Sequence, residues 1–269
     1  MKWSILLFIF TIFCGQSAEA CTLVMGYRTT PRLPNIEAVP NNSGIYQDLY
    51  SIAAKKIGCK LEIVRLPKKR VLLGMAEGRI DFYPGFTFTK ARTKNTFFFE
   101  NGMRSKMVGL SRADMPEVHS LEEIRGKIFL RPLGAPGVDA QKYGFILHEV
   151  PELDYTQAIK LLQKKHADFF MDHYLNLKFF MQNHPERKQF RFHMNCCGKD
   201  EAFTIGFSKK SKFYEEEPNL SFDENKPLNY NNYPVQLKKG CIAYRLQQAL
   251  RELSKTGVTD AIIQTYYRS

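Results

Sequence analysis

The chain has 269 residues, 44% of them hydrophobic and 25% charged, which is enough apolar material for one or two sizeable cores and excludes a disordered or fibrous polypeptide. Its formal net charge is +12, yet Lys and Arg are scattered and no nucleic-acid-binding motif accompanies them. The charge therefore reads as a solvated basic surface suited to anionic partners, with nucleic acid set aside.

The first twenty residues stand apart. Lys2 supplies a positive start, Trp3 to Phe13 form an apolar stretch, and Ala18-Glu19-Ala20 places small residues where a signal peptidase cuts. Residues 1–20 are expected to be a cleaved secretory signal, because the apolar run is too short to span a bilayer and no later run is long enough. The charge survives its removal, since Lys2 and Glu19 cancel. Export implies an oxidising compartment, and cleavage leaves Cys21, Cys59, Cys196, Cys197 and Cys241. Cys21 and Cys59 each open a predicted strand and meet if those strands are parallel neighbours. Cys241 is expected to pair with Cys196 or Cys197. A metal site from His193, Cys196 and Cys197 fits no common zinc spacing, so no metal or cofactor is expected.

From Thr22 the pattern alternates strand and helix. Thr22 to Tyr27 reads as a buried strand, followed by a loop with Pro31, Pro34 and Pro40. Ile45, Leu49, Ala53 and Ile57 recur every four residues, and Gly58 stands where a helix C′ glycine belongs. Cys59 to Leu66 is the second strand, Pro67 opens a helix through Glu77, and Arg79 to Tyr83 is the third strand. A β-α-β-α-β order implies a parallel sheet with right-handed crossovers.

A second such unit starts near residue 120. Ser120 and Glu123 suggest a capping box, Lys127 to Leu130 a strand, Tyr155 to Lys165 an amphipathic helix and Asp168 to Met171 another strand. Ala202 to Ser208 is a strand. Ile242, Leu246, Leu250 and Leu253 line one helix face, and a last short helix covers Thr259 to Tyr267. Phe213 to Lys239 is polar and unpatterned, the composition of a surface insertion.

Four stretches in this order resemble the family 3 extracellular solute-binding proteins. They are Gly44-Ile45-Tyr46-Gln47-Asp48-Leu49, Gly78-Arg79-Ile80-Asp81, Thr87-Phe88-Thr89-Lys90-Ala91-Arg92 with the aromatic run Phe97 to Phe99, and Leu121-Glu122-Glu123-Ile124-Arg125-Gly126-Lys127. The resemblance implies an α/β, two-lobed type II periplasmic binding protein fold, each lobe a mainly parallel sheet flanked by helices, with a two-strand hinge. Lobe 1 is expected over residues 21–109 and 205–269, and lobe 2 over 110–204. The crossovers fall near Val108-Gly109-Leu110 and Thr204-Ile205-Gly206. The implied function is periplasmic capture of a small polar, amino-acid-like ligand in the interlobe cleft by a monomer that serves an ABC permease and performs no chemistry.

Ligand burial requires fixed partners for lost hydration. The resemblance assigns the ligand carboxylate to Arg92, with Thr87 and the backbone at Gly85 beside it, and the ammonium to Asp172 in lobe 2. Tyr27 and Tyr83 are candidate cleft aromatics, although strand-end tyrosines often only pack at a core margin. Arg70, in Pro67-Lys68-Lys69-Arg70, matches a branch of the family whose Arg points to the cleft rim, against the simpler reading of a solvated charge run. The sequence departs from the family at Leu133-Gly134-Ala135-Pro136-Gly137, which offers no hydroxyl to a carboxylate, and at Arg28-Thr29-Thr30-Pro31, which replaces an acidic segment. The rival readings are a periplasmic lyase or dehydratase, with Asp172, His173 or Glu100 as general acid, and a ligand-sensing module for a membrane receptor.

Overall fold

The computed structural model describes residues 21–135, 138–182 and 184–267. The expected signal peptide, together with Pro136 and Gly137, lies outside them.

Lobe 1 is built on β1 (Thr22–Arg28), flanked in parallel by β2 (Lys60–Leu66) and β3 (Phe82–Tyr83). Two helices make the crossovers, α1 (Ile45–Lys56) and α2 (Lys68–Ala76). Helix α1 buries Ile45, Tyr46, Leu49, Tyr50, Ala53 and Ala54, and Gly58 at φ 78° turns the chain out of it. Gly26 admits α2 against β1, since a Cβ there would strike Val71 and Ile80. The third strand is shorter than expected. Arg79 N–H and Ile80 N–H both donate to Gly74 O, wrapping the chain around the end of α2, and Asp81 accepts from Val24 N–H (2.7 Å) and the Ser211 hydroxyl (2.6 Å).

The chain leaves lobe 1 along β4 (Thr96–Arg112), a strand of 17 residues. Its first half pairs antiparallel with β9 (Asp200–Ser208), and its second half with β7 (Phe169–His173) and β8 (Phe190–His193). The β4–β9 ladder slips between Glu100 and Arg104. Lobe 2 adds β5 (Ile128–Pro132) between β6 (Ile146–Val150) and β7, all parallel, with helices α3 (Ala140–Tyr143), α4 (Tyr155–Gln163) and α5 (Tyr174–Gln182). After β9 the chain stays with lobe 1 through strands β10 (Glu216–Pro218) and β11 (Val235–Leu237) and helices α6 (Ile242–Lys255) and α7 (Val258–Thr265). The two cores are separate. Leu23, Met25, Tyr50, Phe82, Phe207, Leu246 and Leu250 belong to one, and Leu110, Leu130, Ile159, Leu162 and Phe170 to the other. Strand β4 feeds both, with Phe97 and Phe99 in the first core and Val108 and Leu110 in the second.

Three local expectations need correction. Ser120 makes no side-chain cap; a 3-10 turn over Leu121–Ile124 forms instead, and Glu123 reaches back to His119 N–H. The polar stretch from Phe213 to Lys239 carries the antiparallel β10–β11 pair and buries Leu237. Cys196 bonds to Cys197 rather than to Cys241, which is unpaired and accepts from Tyr244 N–H at the start of α6. His193 is buried, its ring bonded to Ser111 Oγ (2.8 Å) and accepting from Val118 N–H (2.9 Å), so it serves lobe 2 packing.

Cys21 and Cys59 do pair, at the start of the parallel β1–β2 register. Their bond closes a loop of sequence separation 38, which in the chain-entropy account stabilises the fold by about 3–4 kcal/mol. Replacing both by Ser is expected to lower the urea midpoint, with a slope that holds or steepens as the released unfolded chain exposes more surface, read by circular dichroism; an unchanged midpoint contradicts this assignment.

Candidate functional site

Parallel strands end together, and loops leaving their carboxyl ends form the natural crevice of an open α/β sheet. In lobe 1, β1 ends at Arg28, β2 leads through Pro67 to Lys68, and β3 ends at Tyr83 just before Gly85 and Thr87. In lobe 2, β6 leads through Pro151 to Glu152, and β7 ends with Asp172 and His173. These two sets of strand ends face one another.

The seam between them is polar and charged. Arg28, only 8% exposed, donates to Glu152 across the lobes (2.7 Å), and the Thr30 hydroxyl donates to the same carboxylate. Glu152 holds φ at 49°, an uncommon backbone region for a residue with a Cβ. The Thr30 hydrogen bond and the Arg28 guanidinium keep its carboxyl below the ordinary value, against some desolvation. Deeper in, Asn35 Nδ2 donates to Asn176 Oδ1 (2.8 Å), a buried amide pair that joins the lobes. Tyr267 O–H donates to Leu175 O (2.6 Å), tying the C-terminal segment to α5. Arg32 lies over the Tyr155 ring, 5.7 Å from its centroid. Burial alone would lower the Arg32 pKa, but neighbouring Tyr155 and Asp172 outweigh it and raise it.

The expected site residues fall into two groups. Arg92 lies in a 3-10 turn over Lys90–Lys94, capped by Thr89. Its guanidinium stacks on Phe86 (4.2 Å to the centroid) and donates to Thr87 O (2.7 Å). Burial lowers its pKa, with Tyr83 opposing. Tyr83 is buried and senses Arg28, Arg32, Glu152 and Arg92 together, while its burial raises its own pKa. Gly85 needs its positive φ of 61°, and a Cβ there would run into the Tyr46 hydroxyl. Asp172 accepts from Tyr155 O–H (2.9 Å) and from His173 N–H (2.6 Å). Tyr83 and Asp172 thus share Arg32 as a neighbour at the seam, Arg92 lies beside Tyr83, and Gly85 and Thr87 are on the loop between them.

Tyr27 and Arg70 are not brought there. Tyr27 is 0% exposed within the lobe 1 core, with the Arg65 guanidinium 5.7 Å from its ring centroid. Arg70 is exposed, because α2 turns Val71, Gly74 and Met75 inward and Arg70 is off that face. Lys68 takes the place expected of it. It stands three residues before Val71, on the inward side. Burial first, then Arg92, Arg28 and Arg32, lower its pKa to about 8, with Glu152 opposing. The residues missed in the sequence are therefore Arg28, Arg32, Lys68, Glu152 and Tyr155. The spacing of Lys68, Val71 and Met75 was the available signal for one of them, and the Arg28-Thr29-Thr30-Pro31 departure for one more, Arg28.

Two cavities lie elsewhere, of about 540 and 370 Å³ on the outer side of lobe 2. Both are lined by Arg112, which is occupied by Leu162 O, Ala167 O and Asp168. Its bonds tie α4 to the segment leading into β7, so the guanidinium is committed to lobe 2 structure.

A Lys with a folded pKa below its unfolded value destabilises the fold below that folded pKa, and the penalty fades as pH rises toward the unfolded value. Lys68→Met is therefore expected to raise unfolding stability by roughly 1–3 kcal/mol at pH 7. The gain should shrink between about pH 8 and pH 10.5, the interval set by the lowered and ordinary values. Urea titrations of both proteins at pH 7 and pH 10.5 check this, and an equal or larger gain at pH 10.5 contradicts it.

The family described as bacterial extracellular solute-binding proteins, family 3, matches residues 23–269. No curated protein matches significantly. Among solved structures, an ancestral arginine-binding protein bound to arginine is similar with 18% identity and a TM-score of 0.67, over 91% of this chain and 98% of that one. The GluR0 ligand-binding core in complex with L-glutamate has 17% identity and a TM-score of 0.69, over 93% and 99%. The ancestral amino-acid-binding protein AncCDT-1, a precursor of cyclohexadienyl dehydratase, has 15% identity and a TM-score of 0.63, over 92% and 95%. These structures share the two-lobed α/β architecture of the type II binding proteins. With a family match spanning nearly the whole described chain, this protein belongs to the bacterial extracellular solute-binding proteins, family 3.

Proposed function

We propose that the protein is exported to the periplasm, where it captures a small polar solute in the cleft between its lobes and presents it to an ABC permease, without chemical conversion. The observation that carries this reading is the meeting of polar strand ends from both lobes, joined directly by Arg28–Glu152 and Asn35–Asn176. A solute bonded to both walls stabilises the closed form only when the lobes meet. Arg92 and Lys68 supply positive charge from lobe 1, Gly85 and Thr87 supply backbone and hydroxyl groups, and Tyr83 forms the floor. Asp172 and Tyr155 face them from lobe 2. The hinge in this reading is the stretch where the β4–β9 ladder slips between Glu100 and Arg104, close to the expected lobe limits at residues 109 and 205.

Binding rather than lyase chemistry is favoured by Asp172, whose two oxygens both accept hydrogen bonds. Both oxygens act as acceptors within lobe 2, which holds the carboxyl group in place as part of the wall. Glu100, another lyase candidate, lies in β4 at the ladder slip.

A thermal-shift screen of amino acids, small organic acids, polyamines and peptidoglycan fragments tests the reading. A true solute at a hundred times its Kd adds about 2.7 kcal/mol to the native state. Arg92→Ala is expected to weaken an anionic solute by roughly 10- to 100-fold, the value of a charge-assisted hydrogen bond. Unchanged affinity removes Arg92 from the cleft.

A further inference from the structure

The charges gathered at the seam do not cancel. Four cations, Arg28, Arg32, Lys68 and Arg92, sense one another or Tyr83 there, and the carboxylates among them are Glu152 and Asp172. Each carboxylate is already engaged. Glu152 takes Arg28 and Thr30, and Asp172 takes the Tyr155 hydroxyl beside Arg32. Among the described residues, Lys68 and Arg92 have no carboxylate within ion-pair distance. Arg92 instead spends one N–H on Thr87 O and lays its face on Phe86, leaving the rest of its fork open.

Resting on the solute-binding reading, we propose that the cleft takes a small dianion lacking an ammonium group, with Lys68 and Arg92 as its two anchors. A neutral zwitterionic amino acid brings one carboxylate for two cations and would leave Lys68 or Arg92 uncompensated on closure, where burying an unpaired charge is costly. Its ammonium would have to share Glu152 with Arg28 and Thr30, or Asp172 with the Tyr155 hydroxyl beside Arg32. A dicarboxylate or a phosphate dianion brings the two negative charges the seam lacks. The fork of Arg92 suits either oxygen geometry, and Lys68 adds a compact point charge.

The test is calorimetric titration of the purified protein with glutarate, inorganic phosphate, L-glutamate and L-glutamine. Glutarate and L-glutamate differ only by the amino group, so their ratio reads the ammonium directly. Glutarate or phosphate is expected to bind at least tenfold more tightly than either amino acid, and the tighter of the two identifies a dicarboxylate or a phosphoryl solute. Lys68→Met should weaken that probe at least 30-fold while its own unfolding temperature holds or rises, which separates lost binding from lost folding. L-Glutamate or L-glutamine binding more tightly than both dianions overturns the inference and leaves the solute-binding reading standing. Silence from all four overturns it too. A silent wider thermal-shift screen as well brings down the solute-binding reading beneath it.

Discussion

Parallel β-strands deliver their loops to one edge, and in this molecule two such edges are held face to face by a single continuous strand. Strand β4 starts in one hydrophobic core and finishes in the other, and β9 runs back beside it. Everything polar at the seam follows from that arrangement. Arg28, Lys68 and Tyr83 are where they are because β1, β2 and β3 are parallel neighbours whose carboxyl ends lie side by side. Glu152 and Asp172 face them because β6 and β7 flank β5 in the same sense.

Charge then distinguishes this cleft from a neutral one. Arginine and lysine side chains converge from three separate loops of lobe 1, and lobe 2 answers with two carboxylates that are already hydrogen-bonded. The exposed ion pairs, such as Lys56–Glu252, contribute little to stability in water. Lys68 and Arg92 matter more, because partial burial makes an uncompensated cation expensive until something negative arrives. In the proposed reading, the same feature that lowers apo stability would supply the driving force for binding, a common exchange at functional sites.

Much of the fold was legible because its helices and buried strands carry clean periodicities. Helix α1 repeats its apolar residues every four positions, and Thr22 to Tyr27 is buried on both faces as a parallel strand should be. Strand β4 was not legible. Its aromatic start at Phe97 to Phe99 runs into Glu100-Asn101-Gly102, and a pattern read locally stops there although pairing with β9 resumes at Arg104. The Cys196–Cys197 bond was missed because distant partners were sought for cysteines that had each other. At the site, family likeness pointed to Arg92, Thr87, Gly85, Tyr83 and Asp172, of which Tyr83 and Asp172 share Arg32 as a neighbour and Arg92 lies beside Tyr83. It also pointed to Arg70, where the phase of α2 selects Lys68 instead. Glu152 has no local signature at all, since only the closure of one lobe on the other brings it to Arg28.

The central claim is that two halves swing together about the β4–β9 strands when a dianion neutralises the seam. Small-angle X-ray scattering in low-salt buffer, with and without saturating glutarate, addresses it most directly. A smaller radius of gyration with glutarate, and none with an equal concentration of neutral sucrose, is the predicted result. Glutarate binding by calorimetry with no change in the scattering curve would contradict the account.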